Sequence, residues 1–146
     1  MLVSVRGVLD PNVIISGLLS PAGNAAHLLE AWEGGEFDLI VSATLLDELK
    51  RALGYPRLRR HISEEEADRV VEWLRESATL VEDPDTPLRV RSADPGDDYL
   101  IALAASRQSI LVSGDKHLLN LADRVPVLEP ARFRERLSDY DPGTGQ

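Results

Sequence analysis

Short runs of Val, Ile and Leu alternate with segments of helical period along this chain, and that alternation restricts the fold more than any other feature. Residues 2 to 9, 37 to 42 and 109 to 113 are brief, aliphatic and bounded by Gly, Asp or Ser. Such runs predict buried parallel strands. A weaker strand is expected over 78 to 82, and another over 125 to 129 that Pro126 assigns to a sheet edge. Between them lie helical patterns: 24 to 33 with Asn24 as N-cap, 43 to 53 started by Ser42 and stopped before Gly54 and Pro56, about 97 to 107, and 130 to 138. The clearest helix start is Ser63 followed by Glu64, Glu65 and Glu66, a capping box that feeds the apolar stripe Ala67, Val70, Val71, Leu74 and Ala78. Trp73 falls off that stripe and is read as a surface for a partner. No internal repeat or low-complexity segment interrupts the pattern, and the longest loop-like stretch is 81 to 97. The expected fold is a three-layer α/β/α sandwich around a mostly parallel central sheet, with right-handed crossovers.

With 146 residues, 43% of them hydrophobic, the chain matches one globular domain over 1 to 138, followed by a disordered tail over 139 to 146. Cysteine is absent, which rules out disulfides and thiolate metal sites. Neither a signal-peptide pattern nor a run of about 18 apolar residues occurs, so a cytoplasmic protein without a membrane span is expected. Sixteen Lys and Arg against 25 Asp and Glu leave a net charge of -9, which opposes broad attraction to a polyanion. One segment reverses the balance. KRALGYPRLRRHI, residues 50 to 62, carries Lys50, Arg51, Arg57, Arg59 and Arg60 without an acid. These groups are candidates for holding phosphates, although cations near a helix C-terminus are also favoured by the helix dipole alone.

In the predicted sandwich, helix N-termini and strand C-termini gather at one edge, where ligands usually bind. Asp10 closes the first strand in VLDPNVIISGLL, and Asp115 closes the strand that begins at Ser109. Asp98 lies in the first turn of the helix leading to that strand, and Glu48 within two turns of the helix start after FDLIVS. All four are placed to face one site. Four carboxylates without His or Cys form a hard oxygen set suited to Mg²⁺ or Mn²⁺ rather than zinc. Each also has an ordinary structural explanation: Asp10 and Asp115 as turn or cap residues, Asp97 and Asp98 as first-turn acids complementing the dipole, and Glu48 on a solvated face with an Asp47 to Lys50 pair. His27 and His117 have no partner at metal-ligand spacing.

LDPNVIISGLL, LLDELKRAL, DPGDDYLIALA and ILVSGDKHLL, in this order over about 130 of the 146 residues, resemble the PIN domain, and more narrowly the bacterial PIN-family toxin components of VapBC-like toxin-antitoxin pairs. The resemblance implies a Mg²⁺- or Mn²⁺-dependent endoribonuclease hydrolysing RNA phosphodiester bonds, with Asp10, Glu48, Asp98 and Asp115 as the acidic quartet. Asn12 supports Asp10, and Asp97 is able to exchange roles with Asp98. Ser113 is taken as a further supporting residue. Asp10 and Asp115 are expected to ligate directly, and Asp98 and Glu48 to bind directly, bind through water, or help remove a proton. A cognate antitoxin and a homo-oligomer are the implied protein partners. Pro11 stands where the family usually has Thr or Ser. Two rival readings differ in class. One is a PIN-like protein- or RNA-binding module without catalysis. The other, a dehalogenase-type phosphatase, needs a second Asp where Asn12 stands.

Overall fold

The computed structural model describes residues 5–85 and 90–139. Five strands form one sheet: β1 (Arg6–Leu9), β2 (Asp38–Ser42), β3 (Thr79–Val81), β4 (Ile110–Val112) and β5 (Val127–Leu128). They are all parallel, in the order β3-β2-β1-β4-β5. The strands predicted from aliphatic runs are thus present in trimmed form, with β5 and its Pro126 at an edge. β1 and β2 bury nearly every residue, as strands covered on both faces must.

Eight helices connect and cover the strands among the described residues: α1 (Pro11–Leu19), α2 (Asn24–Glu33), α3 (Ala43–Leu53), α4 (Pro56–Arg59), α5 (Glu64–Ser77), α6 (Asp98–Ser106), α7 (Lys116–Leu119) and α8 (Pro130–Asp139). The path steps one way from β1 to β2 to β3 and then back across the sheet to β4. Right-handed crossovers therefore place α6 on the opposite face from the helices joining the first three strands. This is the expected three-layer sandwich. The predicted caps at Ser42 and Ser63 are present, each hydroxyl accepting a backbone N–H of its helix, and Ser63 with Glu66 completes the capping box.

Several expectations are corrected. Residues 11 to 19, not assigned to any element from the sequence, form α1, with Asp10 as N-cap and Pro11 in the first turn. Gly23, rather than Asn24, caps α2, and the Asn24 side chain instead accepts a hydrogen bond from Arg134 (2.8 Å). Trp73 is not a free surface residue: it is half-buried against Trp32, ring centroids 5.0 Å apart. The expected Asp47–Lys50 pair is replaced by a Lys50–Asp68 contact at 3.6 Å. Helix α8 extends through Asp139, and the rest of the expected tail, 140 to 146, lies outside the described residues, as do 2 to 4 of the first expected strand and 86 to 89 of the long loop.

Candidate active site

In a sheet of this order the first strand is flanked by β2 on one side and β4 on the other, so the loops leaving β1 and β4 diverge and open a crevice at their C-terminal ends. Asp10 leaves β1 there, 4% exposed. Its backbone N–H bonds Val112 of β4 (3.0 Å), one carboxylate oxygen accepts the Asn12 N–H (3.0 Å), and the other accepts the Ser113 hydroxyl (2.8 Å). Ser113, fully buried, in turn accepts the Asp115 N–H (3.0 Å). Asp115 caps α7 by accepting the His117 N–H (2.8 Å). One buried hydroxyl thus ties the carboxylates of two strand ends together. Burial pushes the Asp10 carboxyl up, the Asn12 and Ser113 hydrogen bonds oppose the rise, and the Asp115 charge adds to it; the result lies above the ordinary aspartate value.

Of the two adjacent acids at the start of α6, the structure brings Asp97 to this pair, not Asp98. Asp97 ends a 3-10 turn (Pro95–Asp97) that Asp94 caps through the Gly96 N–H (2.9 Å). Partial burial, the charges of Asp10, Asp94 and Asp115, and a hydrogen bond with Asp115 push its carboxyl up to about 6. The Asp98 carboxylate turns back to the preceding loop instead, accepting the Ser92 N–H (2.8 Å) and lying 3.5 Å from Arg91.

Glu48 projects from the second turn of α3 and pairs with Arg51. It shares an environment with Tyr99, a half-buried phenol whose pKa burial raises first and the charges of Asp10, Glu48, Asp97 and Asp83 raise further. Neither Tyr99 nor Asp83 was expected. Asp83 follows β3 at the same sheet edge and accepts the Thr44 N–H at the start of α3 (3.0 Å), one turn before Glu48. Burial opposes its ionisation, but hydrogen bonding from Ser42 and Thr44 outweighs that and lowers its pKa. Among the described residues, its Oδ1 is buried without a hydrogen bond of ordinary geometry. His117 contributes only its backbone N–H to the site, its side chain lying exposed, and His27 is held on α2 by a ring nitrogen 2.8 Å from the Gly23 carbonyl oxygen. Neither joins the carboxylates.

A family model described as "PIN domain" matches residues 6–117, from β1 into α7, and so contains Asp10, Glu48, Asp97 and Asp115. The chain belongs to the PIN-domain family. Uncharacterized protein MJ1680 of Methanocaldococcus jannaschii is 28% identical over 123 residues, covering 83% of this chain and 77% of that protein. PAE2754 from Pyrobaculum aerophilum shares the fold at 22% identity, with a TM-score of 0.64 over 92% of this chain and 96% of that one. VapBC2 from Rickettsia felis, whose structure is bound to a DNA fragment from their promoter, shares it at 10% identity, with a TM-score of 0.58 over 86% and 98%. PIN domains are generally nucleases. No helix among the described residues is long and apolar enough to cross a membrane.

PIN-domain nucleases generally use divalent metal ions, and the donor chemistry here fits one. All the groups are oxygens, and Asp97 keeps its proton to an unusually high pH because burial and the charges of Asp10, Asp94 and Asp115 oppose its ionisation. A dication in that place would relieve the same repulsion. Among the described residues, no three His, Cys, Asp or Glu side chains are already gathered closely enough to hold an ion. Mg²⁺ does not require that, since it commonly takes one or two carboxylates and keeps water in its remaining positions.

The proton on Asp97 has a measurable consequence. In the native state the carboxyl titrates near 6, in the unfolded chain near 4, so native stability increases as pH falls from 6 toward 4 and is reduced above 6, where the charge must be held among like charges. Asp97→Asn is therefore expected to stabilise the protein at pH 7 by about 1 kcal/mol once solvent screening is allowed for. The gain should vanish below about pH 4. Urea melts in EDTA at pH 4 and pH 7 check this; an equal effect at both pH values would mean that charge repulsion is not its source.

Proposed function

We propose that this protein is a Mg²⁺- or Mn²⁺-dependent endoribonuclease and the toxin of a VapBC-like pair. The observation that carries the reading is the convergence of Asp97, Asp10 and Asp115 at the β1/β4 crevice, expressed in the raised Asp97 pKa. Asp10, Asp115 and Asp97 would hold the ion, directly or through water, with Glu48 approaching from α3. The bound ion would acidify water and neutralise charge growing on the phosphoryl oxygens. Ser113 and the Asn12 N–H fix both oxygens of Asp10, so that carboxylate is already oriented before any ligand arrives. Asp98 orders the loop before α6 by holding Ser92 and Arg91. Among the basic residues, Lys50 and Arg51 are engaged with Asp68 and Glu48. Arg57, Arg59 and Arg60 are exposed around α4 and are the better candidates for RNA phosphates. The partners in this reading are RNA, a cognate antitoxin and a second copy of the chain.

Purified protein should cut single-stranded RNA with Mn²⁺ or Mg²⁺, stop in EDTA, and leave 5′-phosphate and 3′-hydroxyl ends. Undiminished cutting in EDTA, or 2′,3′-cyclic phosphate products, would overturn the mechanism. Pro11→Thr should change the rate by less than about tenfold, the scale of one modest hydrogen bond. Proline occupies the first turn of α1, where an N–H has no intrahelical partner, and Asp10 already has the extended backbone a residue before proline prefers. A parent inert until Pro11→Thr restores cutting would favour the binding-module reading. Replacing Arg59 and Arg60 together by Ala should weaken RNA binding several-fold and reduce the slope of log affinity against log salt by about 1 to 2. Binding unchanged at low salt would identify the segment as solvated surface.

A further inference from the structure

Beside the carboxylates a cleft of about 350 Å³ opens between α1, α2 and the start of α8. Its two ends differ in chemistry. Asp10 and Asp115 close one end, while Val13, Ala25 and Pro130 supply apolar walls. From α1, Asn12 and Ser16 add an amide and a hydroxyl one helical turn apart, both exposed and both without a side-chain hydrogen bond among the described residues. Gly114 leaves open space where a Cβ would stand, so a ligand can approach the backbone between Ser113 and Asp115. Among the described residues, no Lys or Arg lines the cleft. A second phosphate would therefore meet two carboxylates with nothing to balance them. The cleft instead suits a neutral, flat group with an apolar face and hydrogen-bonding edges, and its volume is at the lower end of small-molecule pockets.

We infer that this cleft receives one unpaired nucleobase of the RNA strand, from a nucleotide adjoining the scissile phosphate. This inference rests on the ribonuclease reading and deepens it by placing a base subsite beside the carboxylates. A base held in a duplex is stacked and has its pairing edge occupied, so it cannot enter between helices. Val13 and Pro130 contact the ring face, and the Asn12 amide, which can both donate and accept, meets the edge beside the Ser16 hydroxyl. Seating the base brings the adjacent phosphate to the ion that Asp10 and Asp115 would hold. The cleft thus acts on binding and register rather than on the chemical step.

The test uses a single-stranded RNA with a mapped cut and two analogues, each with an abasic ribose on one side of the scissile bond. On one side the abasic nucleotide should raise KM about tenfold, the loss expected for one base contact, with kcat little changed. Ser16→Leu, at an exposed helix position where folding is not at risk, should raise KM for intact RNA by a similar factor and leave the abasic RNA no worse. The two changes should not add. Equal cutting of intact and both abasic RNAs, or a Ser16→Leu variant that behaves as the parent, would overturn the proposal. Should the parent cut no RNA at all, the ribonuclease reading fails, and the cleft is judged separately by titrating 2-aminopurine RNA into Asp97→Asn. A fluorescence change that Ser16→Leu abolishes supports the base site, and no change in either protein overturns it.

Discussion

If the proposed function holds, Asp97→Asn should lower metal-dependent RNA cleavage by about a hundredfold or more, whereas Asp98→Asn should leave it within about tenfold. This contrast is expected from where the two neighbouring carboxylates point. Burial, together with the charges of Asp10, Asp94 and Asp115, raises the Asp97 carboxyl to about 6. At the proposed site, removing its charge would take away an oriented electrostatic group, a loss commonly worth about 10² to 10³ in rate. Asp98 accepts from the Ser92 N–H and lies near Arg91. Asparagine keeps a carbonyl oxygen for the first contact, and the pair lost with the second, a 3.5 Å contact to a solvent-exposed Arg91, is worth about 1 kcal/mol or less. Single-turnover cleavage by the two variants, with circular dichroism to establish folding, measures the contrast. If Asp98→Asn were the inactive variant and Asp97→Asn cut normally, the site would have to be rebuilt around Asp98.

The adjacent pair also shows where sequence reading reaches its limit. Successive residues in a helix point about 100° apart, so one of two neighbouring acids faces the crevice and the other cannot. Which one depends on how the chain enters the helix. Here the Asp94-capped 3-10 turn makes that decision, and no periodicity reports it. Helix α1 was hidden for a different reason: VIISGLL is apolar but for Ser16, with β-branched residues and a glycine, so it carries no clear stripe. The signal that did exist was the pair Asp10-Pro11, an N-cap followed by a first-turn proline. Trp73 was misplaced because a stripe read on α5 alone cannot show that Trp32 of α2 lies within 5.0 Å on another side of that helix. By contrast, the sheet was legible because each strand is short, aliphatic and set off by helices of the right period.

For Asp10 and Asp115, the structural and functional readings need not compete. Both carboxylates cap helices, Asp10 through the Asn12 N–H and Asp115 through the His117 N–H. Capping is also what aims them, because it fixes each side chain at the sheet edge with no spare rotamer freedom. The same logic, applied to the acid after the third predicted strand, would have found Asp83, which accepts the Thr44 N–H at the head of α3 and thereby sets the helix that carries Glu48. Spacing alone did not find it because ValGluAspPro, at 81 to 84, sits at the entrance to the longest loop. There an acid reads as ordinary solvent-facing punctuation.

Phe133→Ala should destabilise the protein by about 3 to 5 kcal/mol, the cost of removing a buried phenyl ring without refilling its volume. Phe133 has no exposed surface and meets Phe37 edge-on, ring centroids 5.1 Å apart and planes at 85°. Both rings fit because β1 has Gly7 beneath them: a Cβ there would stand 3.1 Å from Phe133 and 3.3 Å from Phe37. A single glycine in the central strand therefore lets α8 and the segment entering β2 close over the sheet. Collapse into the space left by Phe133→Ala would require α8 to move, and Pro130 at the start of that helix forms a wall of the cleft beside Asp10 and Asp115. Thermal melts should show a Tm lower by on the order of 10 °C. The residual activity below that temperature should show a raised KM before a lowered kcat, since the carboxylates stand on β1 and β4 while the displaced wall stands on α8. A Tm unchanged within about 2 °C would mean that α8 is not held by this ring pair. A loss confined to kcat would mean that the helix supports the carboxylates rather than the cleft.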